Sequence, residues 1–176
     1  MRAFHFVAAL ALGIPSAASA ELVAATATGL ASHNEAVVAA APDDVWIELT
    51  DPARWWDASH TYSGDAANLT LFPVAGGCFC EELPDGGGSV EHLRVVNVMP
   101  GRLLRLSGAM GPLQSEALTG TLTITLEPVE EGTKIGWDYV VSGFARFDLA
   151  GIAPAVDAMH AGQLARLAEK LGRAAP

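Results

Sequence analysis

The sequence predicts an α+β domain in which a curved antiparallel sheet of about six to seven strands wraps around one long C-terminal helix, with two short helices inserted after the first strand. Three observations predict it. Leu118, Leu122, Ile124 and Leu126 alternate with Thr119, Thr121, Thr123 and Thr125, and after the turn Glu130-Glu131-Gly132 the residues Ile135, Trp137, Tyr139 and Val141 alternate with Lys134, Gly136, Asp138 and Val140. A period of two over both segments gives a hairpin with one buried and one wet face. Upstream of it, short apolar runs are separated by glycine- and proline-rich turn chemistry. Downstream, Ile152, Val156, Met159, Gln163 and Leu167 fall at helical spacing, with Arg166, Glu169, Lys170 and Arg173 on the wet side.

In chain order, Met1-Arg2, the apolar run Phe4 to Ile14 and the small-x-small Ala18-Ser19-Ala20 read as a secretory signal peptide over residues 1–20. The apolar run is about half the ~20 residues that span a bilayer, so no stable membrane anchor is expected after cleavage, and the product is periplasmic or secreted. Residues 21–31 are Ala/Thr-rich without periodicity and read as a flexible lead-in, the domain runs over 32–172, and 173–176 is a tail. Ser32 to Ala41 reads as a strand ended by Pro42. Asp43 to Thr50 reads as a helix, with Asp43 and Asp44 where the dipole favours anions and Val45, Trp46 and Leu49 on its apolar edge. Asp51 is placed to cap a second short turn, with Pro52 at its first position and Arg54-Trp55-Trp56 filling it. Strands follow over 69–72, 77–83, 89–98 and 102–107, then the hairpin, then the helix over 148–171, where Pro154 either kinks the helix or opens its main part.

Composition narrows the partner. The 176 residues are 51% hydrophobic and 17% charged, which suits one globular domain and excludes a disordered chain. A net charge of −10 gives no footprint for nucleic acid or anionic headgroups, which are held by clustered Lys and Arg, so a small or neutral partner is expected. A mean hydropathy of +0.30 exceeds what an ordinary soluble core requires. No G-x-S-x-G elbow, Walker or Rossmann glycine loop, or H-E-x-x-H occurs; Gly86-Gly87-Gly88 sits in a hairpin turn, and no cofactor is expected.

Three polar groupings stand out. Residues Trp55 to Asp65 pack two indoles, His60, Tyr62 and the carboxylates Asp57 and Asp65 into one loop, which serves either to orient a ligand or to staple the loop to the short helices. His160 borders the helical stripe and Gln163 sits within it; for His160 a satisfied, partly buried histidine is the simpler reading. Cys78-Phe79-Cys80 places two sulfurs on one strand face, and folding the next hairpin brings His92 opposite. A metal site of Cys78, Cys80 and His92 lacks an evident fourth ligand, a disulfide would close a very small ring in a regular strand, and two small apolar wall residues remain the simplest reading. The phase of that strand is open.

The residues Ala41-Pro42-Asp43-Asp44-Val45-Trp46, Asp51-Pro52 with Trp55-Trp56, Gly76-Gly77, Val98-Met99-Pro100-Gly101 with Leu103-Leu104-Arg105, and Gly132-Thr133 occur in an order and spacing that resembles the SRPBCC (START-like, polyketide cyclase/dehydrase-like) superfamily with its helix-grip fold. The resemblance implies a cavity between sheet and C-terminal helix for a hydrophobic small molecule: a lipid, isoprenoid or aromatic compound. Its expected lining is Trp56, His60, Tyr62, Phe72, Phe79, Met110, Leu113, Leu122, Trp137, Tyr139, Val156, Met159 and Gln163. A carrier is the first expectation. A cyclase- or dehydratase-like enzyme using the same cavity is the alternative, with His60 and Tyr62 as its catalytic candidates. A protein-interaction module resembling the chaperone-ATPase activators comes third. A monomer or weak dimer is expected.

Overall fold

The computed structural model describes residues 19–172, with side chains from Glu21 onward; the expected signal peptide up to residue 18 and the expected tail from residue 173 lie outside the described residues. The strands are Ser19–Thr26 (β1), Gly29–Val38 (β2), Leu69–Leu71 (β3), Cys78–Leu83 (β4), Gly88–Met99 (β5), Leu103–Ser107 (β6), Ala117–Val129 (β7) and Gly132–Phe144 (β8). Helix Pro42–Leu49 (α1) follows β2, and Leu149–Leu171 (α2) closes the chain. The eight strands form one sheet in the order β1-β2-β8-β7-β6-β5-β4-β3, with antiparallel neighbours throughout. This is the helix-grip architecture. Among the described residues no helix is long and apolar enough to cross a membrane.

The β7–β8 register explains why alternation was so legible there. Leu122 faces Tyr139, Ile124 faces Trp137 and Leu126 faces Ile135, while Thr121 and Thr123 face Val140 and Asp138 on the outer side. All six inner residues are buried. Gly132 makes the intervening turn at φ +135°, and a Cβ there would lie 2.2 Å from the Val38 carbonyl oxygen, so only glycine fits. On the outer face Asp138 is half-exposed, as the alternation predicts, and accepts from His33 Nδ1 at 2.7 Å.

Residues 21–31 correct the expectation of a flexible lead-in, because they form most of β1 and open β2. Their small Ala and Thr side chains carry no amphipathic pattern; β1 is an edge strand, paired to β2 from Ser19↔Glu35 to Thr26↔Gly29. Tertiary pairing supplies what local sequence did not. The sheet therefore has eight strands rather than six or seven.

Helix α1 has Pro42 at its first position, Asp43 and Asp44 in its first turn, and Val45 and Leu49 buried. Asp51 precedes the 3₁₀ turn Pro52–Arg54 but makes no side-chain cap. Capping falls instead to Asp57, which accepts from Ser59 N at 2.9 Å, and Asp65, which accepts from Ala67 N at 2.9 Å, each opening a further 3₁₀ turn. Asp148 caps α2 through Ala150 N at 2.9 Å, and Pro154 lies inside the helix. α2 packs over β1 and β2. Its second half, Gln163, Leu164, Leu167 and Ala168, is buried, while Ile152, Val156 and Met159 in its first half are only partly so.

Candidate functional site

A cavity of about 700 Å³ opens beneath the first half of α2. Trp56, His60 and Tyr62 come to it from the loop after α1, Met110 and Leu113 from the 3₁₀ turn Gly111–Ser115 and its approach, Tyr139 from β8, and Val156 and Met159 from α2, all as expected from sequence. Polar ties hold together the elements that carry these residues. Gln163 Oε1 accepts from Asp57 N at 2.9 Å and Arg166 Nε donates to the Trp55 carbonyl at 2.9 Å, pinning the loop to α2. Arg146 Nε and Nη2 donate to Glu116 Oε1 at 3.0 and 2.6 Å, joining the approach to α2 to the start of β7.

Five expected lining residues lie elsewhere. Phe79, Leu122 and Trp137 face inward but sit where the indoles of Trp55 and Trp56 fill the space, and they border only a void of about 20 Å³. Trp55 meets Trp137 edge-on at 6.2 Å and Trp56 meets Phe79 at 5.1 Å between ring centroids. Phe72 lies just past the three-residue edge strand β3 and is 67% exposed. Gln163 is buried and committed to Asp57.

Cys78 and Cys80 form a disulfide, which overturns both the metal site and the reading as two free apolar residues. A regular strand would set their Cα atoms about 6.6 Å apart, near the upper limit for a disulfide. Here they lie 5.4 Å apart, beside a β-bulge at which β5 carries the extra residue, His92. Phe79 points inward, so the sulfurs occupy the outer face. His92 faces the other way, bonded to Glu81, and no group of metal-ligating residues occurs among the described residues.

Two histidines that sequence reasoning left out of the lining supply its buried polarity. His160 is fully buried on α2, and its Nδ1 accepts from Trp137 Nε1 at 3.0 Å. An indole N–H can only donate, so Nδ1 is bare and the neutral ring carries its proton on Nε2. Burial drives the pKa down to about 3, keeping the ring neutral. Among the described residues, no group accepts from Nε2. The Tyr139 ring lies 4.5 Å away, centroid to centroid, and burial pushes its phenol up to about 12. The Tyr139 hydroxyl is held by Met110 N at 3.3 Å, and Gly120 leaves it room, since a Cβ there would fall 2.9 Å from that oxygen.

Glu81 on β4 is wholly buried and accepts from Tyr62 N at 3.0 Å, Ser63 N, and His92 Nε2 at 2.9 Å. Burial alone would raise its pKa, but the donors from Ser63, Tyr62 and His92 outweigh it, and the carboxyl is held below its usual range. Burial lowers His92 despite the pull of Glu81. A carboxylate therefore holds a neutral imidazole by Nε2–H, leaving Nδ1 as an acceptor. His60 and Tyr62 lie on the rim instead; Tyr62 is 53% exposed and its hydroxyl donates to the Gly111 carbonyl at 3.2 Å. The loop is thus both stapled and part of the cavity wall.

A family model described as polyketide cyclase / dehydrase and lipid transport matches residues 30–172. None of the curated proteins matches the chain. Among solved structures, 175 chains match. Protein Mll3558 of Rhizobium loti superposes with a TM-score of 0.59 at 22% identity, over 81% of this chain and 97% of that one. The Aha1 dimer of Colwellia psychrerythraea gives 0.55 at 18%, over 79% and 93%. DynU16, a protein in the dynemicin biosynthetic locus, gives 0.53 at 22%, over 79% of this chain and 46% of that one.

Proposed function

The chain belongs to the polyketide cyclase/dehydrase and lipid transport family, and on that premise we propose that it is an exported protein that binds or carries a hydrophobic small molecule in the cavity beneath α2. The observation that carries this is the cavity itself, about 700 Å³ and walled largely by Trp56, Met110, Leu113, Ile152, Val156 and Met159. Ligand sites are mostly apolar hollows of this size with a few fixed polar groups. Export is supported by the pattern of residues 1–20 and by the Cys78–Cys80 disulfide, which suits an oxidising compartment. Native mass spectrometry of the exported protein, with extraction of whatever co-purifies, tests both parts. A bound apolar compound and an N-terminus at Glu21 are expected. Bare polypeptide that also fails to take up hydrophobic probes refutes binding, and a retained Met1 refutes processing.

A second reading, an enzyme resembling the cyclases and dehydratases, draws on the Glu81–His92 pair rather than on His60 and Tyr62. A carboxylate-held neutral imidazole with a free Nδ1 is the arrangement of a general base. The family model, whose description includes cyclase and dehydrase, fits this reading. His92→Phe that retains ligand binding while losing turnover of an extracted ligand supports it; equal turnover refutes it.

A further inference from the structure

Beyond its size, the cavity has a chemical polarity that the Trp137–His160 pair sets. We propose that His160 is its polar anchor, whose Nε2–H donates to a carbonyl oxygen, ketone or ester, on an otherwise apolar and uncharged ligand. This rests on the cavity reading above and specifies what enters.

The direction of the bond is fixed by the sheet. Trp137 Nε1 occupies Nδ1 at 3.0 Å, and both a protonated ring and the other tautomer would set N–H against N–H. His160 can only offer a donor. Its Nε2 is buried without a protein acceptor, and leaving a buried donor unpaired carries a desolvation penalty that an incoming acceptor relieves. His160 also borders the cavity, beside Met159 and against the Tyr139 ring; it exposes none of its own surface there, so the acceptor reaches Nε2 only by displacing a neighbouring side chain. The acceptor is neutral because the lining, among the described residues, contains no Lys, Arg, Asp or Glu, so a carboxylate would be buried without a counter-charge. A carbonyl suits the position better than a hydroxyl because it accepts without bringing a donor of its own to satisfy.

The test uses three fluorescent probes on the full chain: 2-acetylanthracene, 2-isopropenylanthracene, which replaces the carbonyl oxygen with CH2 in the same shape, and 2-anthroate. The wild-type ratio of ketone to alkene affinity is expected to exceed that of His160→Phe by about tenfold, equivalent to one net hydrogen bond of about 1.4 kcal/mol. Anthroate binds weakest. Trp137→Phe with His160→Phe removes both buried partners together, so it serves as the folded reference where the single variant is unstable. In the wild-type protein, the ¹⁵N resonance of His160 Nε2 is expected to shift on adding ketone and not on adding alkene. Equal ratios in wild type and variant, or an unmoved Nε2, overturn the anchor while leaving the cavity reading intact. If no probe binds, both fall.

Discussion

Lowering the pH from 6.5 to 4.5 interrogates the buried Trp137–His160 pair directly. In the unfolded chain His160 titrates near its ordinary value of 6.5; in the fold, burial holds it at about 3. Between those values the unfolded state takes up a proton that the folded state refuses, so stability is greatest above pH 6.5 and falls as pH falls, by about 1.4 kcal/mol per unit. Because the unfolded histidine is already half protonated at pH 6.5, the two units remove about 2 kcal/mol, and at about 2–4 °C per kcal/mol for a domain of this size Tm drops by roughly 4–8 °C. His92, also lowered by burial, adds to the same slope. His33 acts oppositely: its hydrogen bond to Asp138 raises its pKa, so its contribution is full at low pH and fades on the alkaline side, and solvent screens it. The lowered carboxyls of Glu81, Asp57 and Glu116 act only below about pH 4.5 and stay out of this window. Calorimetry at pH 6.5, 5.5 and 4.5 at fixed ionic strength, on wild type and on the Trp137→Phe/His160→Phe pair, isolates the His160 share as the difference between slopes. Parallel losses in the two proteins would refute the assignment of a neutral, buried His160.

Glu81→Leu leaves the Tyr62 and Ser63 amides and His92 Nε2–H without their shared acceptor, so a loss of about 3 kcal/mol or more is expected as a lower denaturation midpoint at unchanged m; an unshifted midpoint contradicts the clamp. Val156→Trp should fill the space beneath α2 and weaken 2-acetylanthracene binding at least tenfold, with Tm within a few degrees of wild type; undiminished binding would place the site elsewhere. Reduction of Cys78–Cys80, or Cys78→Ser with Cys80→Ser, opens a loop of about three residues, which chain entropy values at about 1–2 kcal/mol, so Tm is expected to fall by a few degrees. Thiol titration of the denatured, unreduced protein should find none free.

What could be read from sequence followed the strength of local periodicity. β7 and β8 carry large apolar residues at every second position, and α2 carries a helical stripe, so each was visible without its partner. β1 has neither; it is a strand because β2 offers an edge to pair with. The cavity was legible only in part, since inward-facing residues of one strand share a phase and not a depth. Trp137 and Tyr139 are two residues apart on β8, yet the first fills the aromatic core and the second reaches the cavity. His92, weighed only as a metal ligand, and His160, weighed only as a satisfied buried histidine, stayed out of the expected lining because their roles depend on long-range partners, Glu81 across one hairpin and Trp137 across the sheet–helix interface. The Cys78–Cys80 pairing needed their Cα atoms 5.4 Å apart, closer than a regular strand sets them, and no residue pattern announces that.

The uneven burial of α2 makes it one helix in shape and two in mechanics. Protein packing secures the second half through Leu164, Leu167 and Ala168, whereas the first half buries only Leu149 and Ala153 and turns Ile152, Val156 and Met159 to the cavity. Within that half Pro154 also withholds the backbone N–H that would bond Ala150. A guest in the cavity is therefore a structural member, supplying the contacts that the first three turns lack. Its departure and the fraying of those turns become one event, with the second half as the fixed hinge post. Amide exchange over 149–159 should outrun that over 160–171 in the empty protein, and the gap should close on loading.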